Sequence, residues 1–333
     1  MNPLVSVLMS VYNGDPYLHE AIESIINQTF TDFEFIIIND GSTDKTSRII
    51  KEYLQKDSRI VLIEQENMGL TKSLNKGIYY SKGKYIARQD VDDISLPNRL
   101  SKQIDFLENN NNIVMVGSYS YLFEENKKII HSNNSIATNS IDLKKKLPHE
   151  NQFNHGSVLF HKRTIKNIGG YREQFKYCQD YDLWLRVIHN YDVSNMTSYL
   201  YKQRLNLQSI SFQKFEQQNQ FKRLAQKYYY QRIRNDFDDL DKGDLEEIQN
   251  VINIQYDNNV IIKANYYFQI GVIMLAMNRK KKARHNFILS IKMRLKVKTV
   301  IFWSISFLSA RIINLIGNTV RRYRSYIIMK EAT

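Results

Sequence analysis

The feature that most constrains the fold is an alternation between short apolar runs and amphipathic segments through the first ninety residues. The apolar runs cover residues 4–12, 33–40, 59–65 and 83–90. Segments with the spacing of amphipathic helices follow the first three runs, at residues 16–28, 42–55 and 69–81, with Ser42 as a plausible N-cap. Strands that alternate with helices in this way predict an α/β fold, a mostly parallel sheet with helices on both faces.

The remainder of the chain changes character. Strand-like runs recur at residues 113–123 and 156–162, and residues 180–190 have apolar side chains on helical spacing. From about residue 212 the pattern predicts helices only, over 212–235 and 243–293. We therefore predict an α/β domain over 1–208, a helical C-terminal region over 209–298 and a separate tail over 299–333.

Charge is distributed unevenly along the chain. The formal net charge is +13, and residues 279–330 contain 14 Lys or Arg and no acidic residue, so residues 1–278 are balanced. Such asymmetry is typical of chains that bind nucleic acid or an anionic membrane surface. The single cysteine, Cys178, excludes an internal disulfide, and the N-terminus lacks the charged region of a signal peptide. We expect a cytoplasmic protein.

The tail combines this charge with apolar residues. Residues 299–310 are uncharged, which is shorter than the ~18 residues expected of a membrane-spanning helix. On a helix, one face would present Ile305, Leu308, Ile312, Leu315 and Ile316, with basic residues at both ends. This pattern predicts a helix lying on an anionic leaflet, peripheral at the inner face of the plasma membrane. The alternative is a helix packed on the protein's own helical region.

Polar residues follow three of the predicted strands. Asn13 and Asp40 follow the first and second strands, and Asp90, Asp92 and Asp93 follow the fourth. Because ligands of such sheets bind at the carboxyl ends of the strands, these side chains should lie on one edge. Crowded carboxylates repel one another unless a cation lies between them, and hard oxygen ligands suit Mg²⁺ or Mn²⁺. A solvated acidic loop is the alternative.

Two further aspartates open the predicted helix over residues 180–190. Asp180 or Asp182 would there be a general base presented at the rim of the site, or merely a favourable partner of the helix dipole. Asp40 likewise fits either contact with a nucleotide or a simple turn.

Taken together, these motifs resemble those of the inverting glycosyltransferases of family 2, which have the Rossmann-like GT-A fold. The resemblance covers roughly residues 4–200 and follows the family's motif order. The matching stretches are VSVLMSVYNGDPYLHEAIESIINQT, FEFIIINDGSTDKT, ENMGLTKSLNKGI, GKYIARQDVDD and GGYREQFKYCQDYDLWLRV.

The resemblance implies a role for each matching residue. Asp90 and Asp92 would hold Mn²⁺ or Mg²⁺, with Asp92 the more direct ligand, and Asp180 would be the catalytic base. The residues implied to bind the donor nucleotide-sugar are Asn13, Asp40, Asn67, Gly69, Arg88 and Asp90. A weaker match places His155, Asp182 and Trp184 near the acceptor, although Trp184 also fits the core-facing side of its helix.

The resemblance also implies the reaction. The protein would move one sugar from a nucleotide-sugar, UDP-linked by preference, to a hydroxyl of a glycan or lipid-linked acceptor in surface-polysaccharide assembly. The family's Glu–Asp motif, whose aspartate is the base, reads Gln179–Asp180 here, and Asn39 stands where many members have a second aspartate. A Q-x-x-R-W motif of processive synthases is absent after Asp180, so we expect one sugar per acceptor.

Other functions remain as alternatives. A nucleotidyltransferase also uses paired aspartates and a metal, but YNGDPY is not a glycine-rich phosphate loop. A non-catalytic, receiver-like nucleotide-binding domain would leave Asp180 unexplained, and nucleic-acid binding through the tail is disfavoured by its apolar run. A zinc site from His149, His155, His161 and Cys178 has weak support.

Overall fold

The computed structural model describes residues 2–124, 127, 129–206, 214–253, 260–276 and 278–308. They divide into two compact units. The first takes in Met1–Asn206 and Phe221–Ile248, and the second takes in the other described residues. The boundary predicted at residue 208 lies outside the described residues, and 221–248, which the sequence placed in the helical region, groups with the first unit.

Nine strands of the described chain form one sheet in the first unit. They are β1 Val5–Val11, β2 Phe33–Asp40, β3 Ile60–Gln65, β4 Tyr85–Arg88, β5 Ile94–Ser95, β6 Ile113–Phe123, β7 Ile129–Asn133, β8 Leu159–His161 and β9 Asp192–Arg204. Their order is β3-β2-β1-β4-β8-β6-β9-β5, with β7 beside β6. The first four strands are parallel to one another, whereas β8 runs antiparallel to both β4 and β6. The predicted parallel half is confirmed, and it continues into a mixed half.

Helices connect the strands and make up the second unit. They are α1 Asp15–Ile26, α2 Thr46–Leu54, α3 Leu70–Tyr80, α4 Arg99–Glu108, α5 Ser140–Lys146, α6 Lys162–Asn167, α7 Gln179–Asn190, α8 Phe215–Asn235, α9 Glu246–Asn253, α10 Val260–Ala276, α11 Lys280–Met293 and α12 Val297–Ile305. The prediction that Ser42 caps α2 is wrong. The Thr46 amide instead donates to Asp44 Oδ1 at 3.0 Å, and Ser42 Oγ accepts from the Asn13 amide at 3.0 Å.

Helices cover both faces of the parallel half. On one face, alternate residues of β1 join a buried cluster with α1, α2 and α4. On the other face α3 approaches β1 so closely that a Cβ on Gly77 would lie 2.1 Å from Leu8 Cδ1. Glycine at this position therefore permits the helix to sit directly on the strand.

The second unit has its own core. Residues of α10 and α11 form it, namely Phe268, Ile270, Met274, Leu275, Ala283 and Phe287. Within the described residues, no helix combines the length and the apolar content that crossing a bilayer requires. The part of the predicted tail from residue 309 onward, including Ile312, Leu315 and Ile316, lies outside the described residues.

Candidate active site

The first corner of the site lies where β2 ends. Asp40 is buried and accepts hydrogen bonds from the Met68 and Gly69 amides, both at 2.9 Å, and from Gln65 Nε2 at 2.7 Å. Gly69 has a φ of +86°, and a Cβ on Gly41 would lie 2.7 Å from the Asn67 amide nitrogen. Asp40, Asn67 and Gly69 are therefore brought together, and Asp40 fixes the loop before α3.

Asn13 ties this corner to β1. It is exposed, with a φ of +52°, and its Oδ1 accepts from the Thr43 amide at 2.8 Å. The loops after β1 and β2 are thereby joined at the carboxyl edge of the sheet, as the sequence predicted.

Arg88, at the end of β4, lies behind the aspartates. It is fully buried, and its Nη1 donates to the carbonyl oxygens of Leu8 and Gln89, each at 2.8 Å. Its Nη2 donates to Asp90 Oδ1 at 2.5 Å. Arg88 thus has no exposed surface with which to contact a nucleotide-sugar directly. Its role in this geometry is to hold Asp90.

Asp90, Asp92, Asp93 and Asp180 form what we call the carboxylate cluster. Burial, followed by the charge of Asp90, raises the pKa of Asp92. Burial, followed by the charges of Asp92 and Asp90, raises the pKa of Asp93 well above its usual range. The charged forms of Asp92 and Asp93 are therefore disfavoured in these surroundings.

The members of the DVDD stretch differ in what they can bind. Asp93 is buried and accepts from the Arg204 amide at 2.8 Å, so its carboxylate anchors the end of β9. Asp90 Oδ1 accepts from Arg88, and Asp92 Oδ2 accepts from Asn206 Nδ2 at 3.2 Å. The second oxygens of these two carboxylates are Asp90 Oδ2 and Asp92 Oδ1, and the Asp92 carboxylate also accepts a hydrogen bond from its own backbone amide.

These two oxygens suit a divalent cation. The described part of the chain contains no group of three or more His, Cys, Asp or Glu side chains placed to hold a metal. Mg²⁺ and Mn²⁺ are nevertheless commonly bound through one or two carboxylates together with substrate phosphates. The carboxylates of Asp90 and Asp92 therefore fit such an ion when a diphosphate is present. A zinc site at the three histidines and Cys178 has no support among the described residues.

A buried glycine packs directly beside Asp90. A Cβ on Gly156 would lie 2.0 Å from Tyr201 Oη and 2.8 Å from Asp90 Oδ2. The Asp90 amide in turn donates to Tyr201 Oη at 3.2 Å. Any side chain at position 156 would displace one of these groups.

Asp180 occupies the first turn of α7. The residue keeps partial solvent exposure, and its Oδ2 accepts from Asn151 Nδ2 at 3.1 Å. Burial raises the pKa of Asp180 to about 6, with a further contribution from the charge of Asp90. The effect of Asp90 shows that the two carboxylates belong to one electrostatic site. A carboxylate with this pKa is suited to accept a proton near neutral pH.

A chain of contacts joins the approach to α7 to Asp90. Tyr171 Oη lies 2.8 Å from His155 Nε2, and Arg88 Nε donates to the same nitrogen at 3.3 Å. Since arginine can only donate, His155 Nε2 is the acceptor and Tyr171 donates its hydroxyl proton. Burial, and then Arg88, lowers the pKa of His155 to about 3, so the imidazole is neutral. Tyr171, His155, Arg88 and Asp90 thus form a continuous chain.

The other two residues predicted to lie near the acceptor turn away from the cluster. Asp182 is 1% exposed and accepts from Arg186 Nε at 2.9 Å, while Trp184 is 0% exposed and packs against Phe153, His155 and Phe160. Neither side chain has surface with which to contact an acceptor. Of the three weaker predictions, the structure leaves only His155 beside the cluster.

Asp182 belongs to a separate group that we call the ion-pair network. It consists of Arg172, Asp182, Arg186, Arg232, Asp238 and Asp241, and all of it lies in the first unit. Arg172 Nη1 contacts Asp238 at 2.8 Å and Asp182 at 3.5 Å. Three arginines balance three aspartates, so the network is neutral as a whole.

Sequence reasoning missed the residues that β9 contributes. Tyr201, Arg204 and Asn206 contact the DVDD stretch from 111 to 114 positions away. Arg204 Nε also donates to the Asp92 carbonyl at 2.8 Å, and its guanidinium pairs with Glu20. No local pattern carries this information, because only the placement of β9 beside β6 and β5 creates the contacts.

Comparison with known proteins agrees with this geometry. Residues 6–169 match the sequence model of the family described as Glycosyl transferase family 2. An uncharacterized glycosyltransferase of Methanocaldococcus jannaschii is 42% identical over 207 residues, which is 61% of this chain and 71% of that protein. The O-antigen biosynthesis glycosyltransferase WbnJ of Escherichia coli is 38% identical over 187 residues, which is 56% of this chain and 72% of that protein.

Solved structures show the same fold. The structure of S. aureus TarS 1–349 in complex with UDP-GlcNAc matches with a TM-score of 0.55 at 16% identity, covering 92% of this chain and 90% of that one. The mannosyltransferase PcManGT from Pyrobaculum calidifontis, in complex with GDP-Man and Mn²⁺, matches with a TM-score of 0.54 at 12% identity, covering 92% and 84%. These likenesses confirm the predicted GT-A fold. The nucleotidyltransferase and receiver-like alternatives are therefore set aside, and the chain belongs to glycosyl transferase family 2 and is a glycosyltransferase.

Proposed function

We propose that the protein transfers one sugar from a UDP-linked donor to an acceptor hydroxyl, with inversion at the anomeric carbon and with help from Mn²⁺ or Mg²⁺. The observation that carries this proposal is the carboxylate cluster. It joins a candidate base, Asp180, whose pKa is raised to about 6, to Asp90 and Asp92, two carboxylates of the kind that bind a divalent cation.

The donor nucleotide is proposed to lie against the corner built by Asp40. The Met68 and Gly69 amides are fixed there by the Asp40 carboxylate, and Asn13 and Asn67 are exposed beside them. Structures of TarS hold UDP and UDP-GlcNAc, which supports a uridine donor. PcManGT holds GDP-Man, so a guanosine donor is the competitor that an experiment must exclude.

Asp90 and Asp92 would hold the metal. When bound, such an ion neutralises the negative charge that develops on the departing nucleoside diphosphate. Arg88 contributes from behind by fixing Asp90 Oδ1.

Asp180 would act on the acceptor. Its carboxylate takes the proton from the acceptor hydroxyl as that oxygen attacks the anomeric carbon, and the bond from this carbon to the diphosphate oxygen breaks in the same displacement. The products are the glycosylated acceptor, the nucleoside diphosphate and a proton that Asp180 later releases to water. The hydrogen bond from Asn151 holds the carboxylate toward the site.

For the acceptor we propose a growing surface glycan, free or lipid-linked. The similarity to a protein described as an O-antigen biosynthesis glycosyltransferase supports this assignment. The basic C-terminal region supports a position at the inner face of the plasma membrane, where a lipid-linked acceptor would be presented.

The test uses water as a surrogate acceptor, so that the natural acceptor need not be known. The full chain would be incubated with Mn²⁺ and each of a panel of UDP-, dTDP- and GDP-sugars, and the released nucleoside diphosphate measured. Proton NMR would record the anomeric configuration of the free sugar before it mutarotates. We expect release from a UDP-sugar, with inversion. Release from GDP-sugars alone would overturn the uridine assignment, and retention would overturn the single displacement.

A further inference from the structure

The last described helix, α12, is mostly apolar, and Lys298 is its one charged residue. Toward the second unit's own core it presents Phe302, Trp303 and Ile305, and the Phe302 ring centroid lies 5.4 Å from that of Phe268. This side of the helix is therefore accounted for by packing. That packing does not account for the apolar side chains of α12 that remain exposed to solvent.

The opposite side faces solvent. Val297 is 77% exposed and Ile301 is 50% exposed, and Leu308, in the turn after α12, is 36% exposed. Two neighbouring side chains extend this apolar surface. Leu295, in the turn before α12, is 73% exposed and Phe307 is 57% exposed. We call these five residues the apolar tip.

Charge decides which partner can cover the apolar tip. Residues 279–308 contain nine Lys or Arg and no acidic residue, and Lys292, Arg294 and Lys298 are exposed around the tip. A second copy of the chain would place these cations against their own counterparts. Residues 309–333 contain five basic residues and one acid, so this segment would meet the same repulsion.

The partner must cover apolar side chains and also carry negative charge to match the surrounding cations. A surface with negative charge and an apolar interior meets both requirements. We propose that the apolar tip inserts into the headgroup–acyl boundary of an anionic bilayer, with the surrounding Lys and Arg bound to lipid phosphates. This rests on the membrane location proposed above and identifies the element responsible, which lies mainly N-terminal to residue 309. Nucleic acid would satisfy the cations but would leave the exposed apolar side chains in water.

The experiment compares apolar and charge requirements in the full chain. Co-sedimentation would be measured with vesicles of phosphatidylcholine alone and of phosphatidylcholine with 30% phosphatidylglycerol. The test variant is Val297→Ser with Ile301→Ser, which retains every charge. The matched control is Ile141→Ser, because Ile141 is 70% exposed in the first unit. A second variant, Arg294→Gln with Lys298→Gln, reports the charge contribution and guards against a folding defect of the first.

We expect wild type and the Ile141 control to bind the anionic vesicles alike and pure phosphatidylcholine weakly. The Ser variant should lose at least about tenfold in partition coefficient, since two large aliphatic side chains no longer enter the membrane. The Gln variant should bind less tightly and with a weaker dependence on salt.

Unchanged partitioning of the Ser variant would overturn the proposal. The proposal would also be overturned if the protein failed to bind vesicles and all variants bound double-stranded DNA with the same affinity. That result would point to nucleic acid as the partner. Sugar release to water without vesicles should be the same in the Ser variant as in wild type. Failure of wild type to release sugar would count against the proposed reaction and would leave the vesicle result intact.

Discussion

The carboxylate cluster and the ion-pair network both bury aspartates, but they differ in how far neighbouring groups neutralise the buried charge. In the network, three arginines neutralise three aspartates, and Asp182 and Asp238 are almost wholly buried. In the cluster, the pKa values of Asp92, Asp93 and Asp180 are all raised because burial and neighbouring carboxylates disfavour their charge. Opposite charges therefore offset the cost of burial in the network, whereas the charged forms of the carboxylates in the cluster stay disfavoured.

Asp180 and Asp182 show this difference within one turn of α7. The first turn directs Asp180 toward Asn151 and the site, and it directs Asp182 toward Arg186 and Arg172. Both carboxylates lie near the positive end of the same helix dipole. Their different surroundings, and not their position on the helix, therefore separate a candidate base from a structural ion pair.

The largest expected effect comes from Asp180→Asn. The variant keeps the size of the side chain but cannot accept the acceptor proton, so the rate of sugar release should fall by about 10²–10⁴-fold. Binding of UDP with Mn²⁺ should be unchanged, because the proposed metal ligands are Asp90 and Asp92. Nucleoside diphosphate release and titration calorimetry would measure the two quantities. A variant with near wild-type turnover would exclude Asp180 as the base.

The network should respond through stability. Arg172→Met leaves three carboxylates without a common partner, and breaking a buried ion pair in this way typically costs about 3–5 kcal/mol in the free energy of unfolding. Urea denaturation would measure the loss. Arg48→Met is the matched control, since Arg48 pairs with Glu52 on an exposed helix surface and its loss should cost at most about 0.5 kcal/mol. Equal effects of both substitutions would show that the network is not a neutralised core.

At the cluster, in contrast to the network, removal of a charged side chain should increase the stability of the protein, and this gain should depend on pH. A carboxyl whose pKa rises to about 6 on folding, from an ordinary value of 3.8, binds its proton more tightly in the folded state. Its charged form therefore destabilises the fold increasingly as the pH rises from about 4 to 6. Asp180→Asn should consequently stabilise the metal-free protein at pH 8 by about 1 kcal/mol, a value discounted for partial exposure, and by nothing near pH 4.

Denaturation of wild type and variant at several pH values would check this. A variant that is less stable than wild type at pH 8 would contradict the raised pKa. In the same range, wild-type turnover should rise as Asp180 loses its proton, with a midpoint near pH 6.

The smallest expected effect concerns the chain from Tyr171 to Asp90. Tyr171→Phe removes the hydroxyl that donates to His155 Nε2, a loss of about 0.5–1.5 kcal/mol. If the chain positions Arg88 and hence Asp90, the Mn²⁺ concentration at half-maximal activity should rise by about 3–10-fold, with little change in maximal rate. Metal titration of activity would measure both. A fall in maximal rate alone would assign Tyr171 to a different step.

Most of the parallel half was predictable because its signals are local. Apolar runs and helical spacing mark β1 to β4 and α1 to α3, and the aspartates follow directly in sequence. Contacts made by Tyr201 and Arg204 were not predictable, since they depend on the pairing of β9 with β6 and β5. The network was missed for the same reason. Arg172 and Asp238 are 66 positions apart, and nothing near either residue indicates its partner.

The most direct test of the account is whether a metal joins the nucleotide to the carboxylate cluster. Titration calorimetry of UDP would be run with Mn²⁺ and with EDTA on wild type, Asp92→Asn and Asp105→Asn, where Asp105 is an exposed aspartate of α4 outside the cluster. We predict that wild type and the Asp105 variant bind UDP at least tenfold more tightly with Mn²⁺, and that Asp92→Asn loses this gain. Equal affinity for UDP with Mn²⁺ and with EDTA would contradict the central claim that the cluster is completed by a cation.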